Sequence, residues 1–245
     1  MEEKMEDTRF TTRQVGELLK IEDTRFERGE SGLRRELQGL INRLKSGGVA
    51  GKTDDPRVAQ AKRYFDLGVG RELGIQDFSV YLGTIPEIPE ALKADDSEFP
   101  RLVLVEPRIG LARLCRLGGI AFEGDDKTFV PWSDECRDSA TPIWIRVQDG
   151  RRNRNRSVSD CRRNFAAGEL GLIALQGITA YLQHSEVVTD LNCNDGHVMD
   201  LPGSVLRDRV HAAYLRVNGG QAELNWDWSG NASPDYGSAS CRKAA

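Results

Sequence analysis

The sequence predicts an α+β fold, with a helical N-terminal half followed by a small antiparallel sheet with packed helices. Three observations carry that expectation. Leu33, Leu37, Leu40, Ile41 and Leu44 recur at helical spacing. Ile143, Ile145 and Val147 alternate with Trp144, Arg146 and Gln148, the period of a half-buried strand. Two further alternating runs flank Asn218-Gly219-Gly220, which reads as a β-hairpin turn. The organisation expected is a helical region over 1–95, an α+β domain over 96–230 and a flexible tail over 231–245.

In chain order, Thr11 and Gln14 fit a capping box ahead of Val15, Leu18 and Leu19. The leucine-rich helix runs from about Ser31 to Lys45, and Gly47-Gly48 ends it. Another helix starts at Asp55, with Pro56 in its first turn and Val58, Ala61 and Phe65 on its buried side. The proline- and acid-rich stretch over 85–100 reads as an extended connector between halves. Leu102 to Glu106 is a short strand, Leu111 to Leu117 a helix closed by Gly118-Gly119, and Glu169 to Gln183 a mostly buried helix. In the hairpin, Ala213, Leu215 and Val217 share a face with Ala222, Leu224, Trp226 and Trp228, which places both tryptophans in the core. Trp144, beside Arg146, is the tryptophan expected to be partly exposed.

Composition excludes several classes. No run approaches the roughly 18 apolar residues of a membrane span. The opening MEEKMEDTRF lacks the apolar core of a secretory signal. A cytoplasmic location and no membrane partner are expected. Five cysteines, widely spaced and without a CxxC pair, argue against a disulfide framework and against a local zinc ribbon. Reduced, mostly buried thiols are the expectation.

Charge comes in blocks although the net value is only -4. Residues 151–163, RRNRNRSVSDCRR, hold six arginines and one acid. Acidic stretches stand on either side, with six acids against two bases over 123–138 and four acids without a lysine or arginine over 186–200. Arginine presents a planar fork that suits phosphate oxygens. Arg151, Arg152, Arg154, Arg156, Arg162 and Arg163 are therefore the candidate nucleic-acid contacts, with Asn153 and Asn155 as extra donors. Their other expected role is to pair with the flanking acids. The absence of aromatic residues inside the block counts against a stacking platform for single strands.

Other motifs are weaker. Ser46 to Thr53 ends like a P-loop, but serine stands where its first glycine belongs and Asp54-Asp55-Pro56 follows. Asp190, Asn192 and Asn194 alternate as in a calcium loop, yet Asp195 holds the glycine position and Leu201 the glutamate position. An Asx-type turn explains the same composition. Zinc through Cys193, His197 and His184 has suitable ligand types, although no metal or other cofactor is expected. The segment 11–21 and Leu111 to Ile120 have the rhythm of a helix-turn-helix first helix, without a recognition helix behind either. The expected function is non-enzymatic nucleic-acid association. A protein-interaction or self-associating scaffold component and a carboxylate-based, metal-dependent hydrolase are the alternatives.

Overall fold

The computed structural model describes residues 55–243. The capping box at Thr11, the leucine-rich helix and the glycine-rich segment 46–53 lie outside the described residues. Described helices are α1 (Pro56–Leu67), α2 (Val69–Glu72), α3 (Phe78–Gly83), α4 (Glu90–Lys93), α5 (Leu111–Leu117), α6 (Val158–Asn164) and α7 (Ala174–Gln183). Strands are β1 (Arg101–Val105), β2 (Val130–Pro131), β3 (Ile143–Gln148), β4 (Leu170–Gly171), β5 (Val198–Val205), β6 (His211–Asn218), β7 (Gln221–Trp228), β8 (Tyr236–Ser238) and β9 (Ser240–Lys243). Helices together with mainly antiparallel sheets make the described region α+β.

One sheet has the order β1-β3-β9-β4 and the other the order β2-β5-β6-β7, with β8 joined to β5 in parallel. Helix α7 packs on β1 of the first sheet and on β5 and β6 of the second. Ala174, Leu175, Gly177, Ile178, Thr179 and Ala180 are all buried, as expected of a helix with protein on nearly every side. The helix is shorter than the expected 169–183, because Leu170 and Gly171 are spent on β4.

Helix α1 starts where the sequence indicates. The Asp55 carboxylate accepts the Arg57 N–H at 2.9 Å, Pro56 takes the first helical position, and Gly68 ends the helix at φ +98°. Its buried side is turned from the expected one and carries Gln60, Ala61 and Tyr64. The cause is the free edge of β1. Gln60 Nε2 donates to Leu102 O at 2.7 Å and its Oε1 accepts from Leu104 N at 2.7 Å, while the Tyr64 hydroxyl donates to Leu104 O at 2.7 Å. Side chains of α1 thus satisfy backbone groups that an open edge would leave unpaired.

The stretch expected as a connector is folded into the same core. Leu92 and Phe99 are buried, and Arg146 reaches from β3 to donate to Leu92 O at 3.0 Å where α4 ends. Trp144 corrects another expectation. It is 3 % exposed and donates its indole N–H to Pro86 O at 2.9 Å. Beyond β1, Glu106 is fully buried and accepts from the Tyr81 hydroxyl and from Arg108.

The hairpin is as read. β6 and β7 pair from His211↔Trp228 to Asn218↔Gln221, and Gly219 and Gly220 turn at φ +59° and +80°. Both central residues in the left-handed region fit the twist of the flanking strands. Residues 236–243, expected within a flexible tail, instead form β8 and β9. Gly150 and Gly237 let two backbones touch there. A Cβ on Gly150 would fall 2.1 Å from Gly237 O, and one on Gly237 2.2 Å from Gly150 O. Gln148 and Asn153 then hold the Ser238 carbonyl from either side of that contact.

Candidate functional site

The arginine block spans a 3-10 turn (Arg151–Asn153), a short link and α6, which Ser157 caps by accepting the Asp160 N–H. Arg151 pairs with Asp149 and donates to Glu186 O at 3.1 Å. Arg154 pairs with Asp195 at 3.0 Å and donates to Gly196 O at 2.7 Å and to His197 Nδ1 at 3.2 Å. That donation leaves Nε2 of His197 as the N–H, which meets Asp149 O at 2.8 Å. Burial holds this histidine below its ordinary pKa, so it stays neutral between two arginines. Arg151 and Arg154 therefore face the acidic stretch that follows them, and they tie the turn to it.

The other four arginines differ in their partners. Arg152 pairs with Glu169 and lies 5.0 Å from the Phe99 ring. Arg163 pairs with Asp160 one turn earlier on α6. Arg156 and Arg162 form no ion pair among the described residues. Four of the six candidate contacts are thus held in ion pairs within the chain.

Two places remain where the block meets open space. One is a polar cavity of about 270 Å3, lined by Arg152, Asn153, Arg156, Cys161, Asn164 and Glu169 among others. The second is a face built around Trp132. Arg162 lies 4.0 Å from that ring and Arg209 5.2 Å, and Arg209 also donates to Trp132 O at 2.5 Å. Arg209 sits at φ +62°, which costs a non-glycine residue about 1 kcal/mol. Val210 and Trp228 continue the face, and Trp228 packs on His211 with ring centroids 4.7 Å apart. Trp228 is 58 % exposed and Trp132 37 %. The hairpin position of Trp228 is on the core side, but it lies past the end of the core. Trp226, two pairs inward, packs edge-on against Phe129.

Asp200 on β5 is buried, with the charges of Asp227 and Arg162 near it. Burial, and then the neighbouring Asp227, raise its pKa to about 7, and Arg162 counters them only in part. Arg162 itself is lowered to about 10, first by burial. One of its donors, Nη2, is buried without a hydrogen-bond partner.

No protein-family model matches the chain, and no curated protein or solved structure is significantly similar to it.

The remaining sequence motifs resolve into structural roles. Asp190 accepts from Asn192 N at 2.9 Å and from Gly220 N at 2.7 Å, so its carboxylate clamps the hairpin turn. A carboxylate spent on amides is the Asx turn, not a calcium ligand. His197 has both ring nitrogens occupied, and His184 Nε2 meets Leu102 O at 3.0 Å, which removes the zinc reading. Among the described residues no group of three or more His, Cys, Asp or Glu side chains is placed to hold a metal. In the acidic stretch, Asp126 caps α5 through Ala112 N at 2.8 Å, and Asp134 pairs with Arg137. Asp126 and Asp138 line a second, more apolar cavity of about 310 Å3. Cys115, Cys136, Cys161 and Cys241 are buried, Cys193 is exposed, and all five are free thiols. No described helix is long and apolar enough to cross a membrane.

Proposed function

We propose that the protein is a non-enzymatic binding module that associates with nucleic acid through the face carrying Trp132, Trp228, Arg207 and Arg209. The observation that carries this reading is the exposed Trp132 with Arg162 and Arg209 against its ring, next to a β5–β6 loop that exposes Arg207 and leads to His211, on which the exposed Trp228 packs; none of these arginines forms an ion pair with a described residue. Bases stack on exposed aromatic rings whatever their sequence, and arginine supplies phosphate contact. The sequence-local block lacks aromatics, and the fold brings Trp132 to Arg162 from thirty residues away. Nearby acids are partly committed, Asp160 to Arg163 and Asp208 to His211. Arg162 supports Trp132 from below, and Arg151 and Arg154 fasten the fold. Free thiols fit a reducing, cytoplasmic compartment.

Titration with a single-stranded oligonucleotide, followed by tryptophan fluorescence at several salt concentrations, tests it. Trp228→Ala is expected to weaken binding by about 1–3 kcal/mol. Replacing Arg207 and Arg209 by Ala is expected to flatten the salt dependence by roughly 0.7 per lost phosphate contact. Absence of binding at low salt, or equal binding by all variants, sinks the reading. Tryptophan and arginine also dominate protein interfaces. A mass that grows with concentration and reverts in Trp228→Ala would assign the same face to self-association.

A further inference from the structure

We propose that the polar cavity between the Arg151–Asn153 turn and α6 binds a small tetrahedral oxyanion, inorganic phosphate or a phosphate monoester, with Arg156 as its main partner. Two carboxylates line this cavity, and both are already committed. Glu169 takes Arg152, the Ser240 hydroxyl and Ala166 N, and its side chain is only 7 % exposed. Glu98 pairs with Arg242 at 3.1 Å. With those pairs closed, the uncompensated charge on the walls is the guanidinium of Arg156.

Its one hydrogen bond among the described residues, to Asn153 Oδ1, is 3.5 Å long, the outer limit of such a bond. Most of its donors are therefore free. Asn153 and Asn164 each spend one Nδ2–H on a backbone carbonyl and keep the other. A forked guanidinium beside two amide donors matches the oxygens of a phosphate. The cavity, about 270 Å3, is several times the ~30 Å3 share of one water, so a phosphate fits with room for a small ester group. Helix α6 turns Cys161 and Asn164 toward this cavity and Arg162 toward Trp132. The site is thus separate from the tryptophan face.

Calorimetric titration of the full chain with sodium phosphate, against sodium chloride at equal ionic strength, tests the proposal. Saturable binding is expected, about tenfold weaker in Arg156→Gln. Arg163→Gln, on α6 but paired with Asp160 and outside the cavity lining, is expected to match the wild type. Glycerol 1-phosphate distinguishes the sources: tighter binding than inorganic phosphate assigns an ester, and weaker binding assigns the free ion. No saturable binding of either probe, or equal binding by Arg156→Gln with its melting temperature unchanged, overturns the proposal. If Arg156→Gln melts early, Arg156→Lys, which keeps the charge and loses the fork, must still bind more weakly than wild type. Oligonucleotide binding by Arg156→Gln is expected to persist, so the two sites fail or succeed independently.

Discussion

Replacing Asp200 by Asn is expected to stabilise the protein by about 2–4 kcal/mol above pH 7 and to change little below pH 4. In the folded chain, burial and Asp227 keep this carboxyl protonated up to about pH 7, whereas the unfolded chain releases the proton near 3.8. Between those values the folded state binds more protons, so wild-type stability falls as pH rises. Asn has no proton to lose. The difference between variant and wild type should be flat in acid, climb through the window and level off above it. A shift of about three pKa units corresponds to roughly 4 kcal/mol, which relaxation around the charge reduces. His184 and His197 act in the opposite sense in both proteins. Burial lowers both, so stability is lost as pH falls below 6.5, and this contribution cancels in the comparison. Urea unfolding at pH 4, 5.5 and 8 provides the measurement. A difference that does not change with pH contradicts the assignment. A stabilising variant that also weakens oligonucleotide binding would mean that the wild type retains a costly charge under Arg162 for the sake of the tryptophan face.

Substituting Gly150 by Ala is expected to cost about 3–5 kcal/mol, more than any surface change in the arginine block. The residue sits at φ +95°, where a Cβ is strained by about 1–2 kcal/mol. That Cβ would also fall 2.1 Å from a backbone oxygen, which cannot swing aside as a side-chain tip can. Relief requires the segment at Gly237 to move, and Ser238 would then lose Gln148 and Asn153. Hydrogen exchange should show amides of β8 and β9 losing protection before those of β6 and β7. A loss below 1 kcal/mol would indicate that the two backbones are not held in contact.

Local signals in the sequence placed several elements well. Asp55-Pro56 and Gly68 bound α1, and Gly219-Gly220 fixed the hairpin register, because capping and turn chemistry involve only neighbours. Misreadings came from partners far along the chain. Trp144 is buried because Pro86 offers a carbonyl, and Trp228 is exposed because its hairpin outruns the core. Residues 236–243 have little apolar character and become strands through the Gly150–Gly237 contact. The arginine block was visible as a charge anomaly. The partners among which it divides include Asp195, Glu169 and Trp132, none of which is adjacent in sequence. Arg207 and Arg209 gave no signal beyond being basic residues after a strand.

Strand β9 lies between β3 and β4 in the first sheet, and its Ser240 hydroxyl accepts from Gln148, 92 residues earlier. An inner strand drawn from so far along the chain must be brought back before this sheet can close. Until then β3 presents an open edge, and completing the sheet requires a long loop to close first. Folding should accordingly be slow, with the second sheet's hairpin able to form earlier and the first sheet locking last.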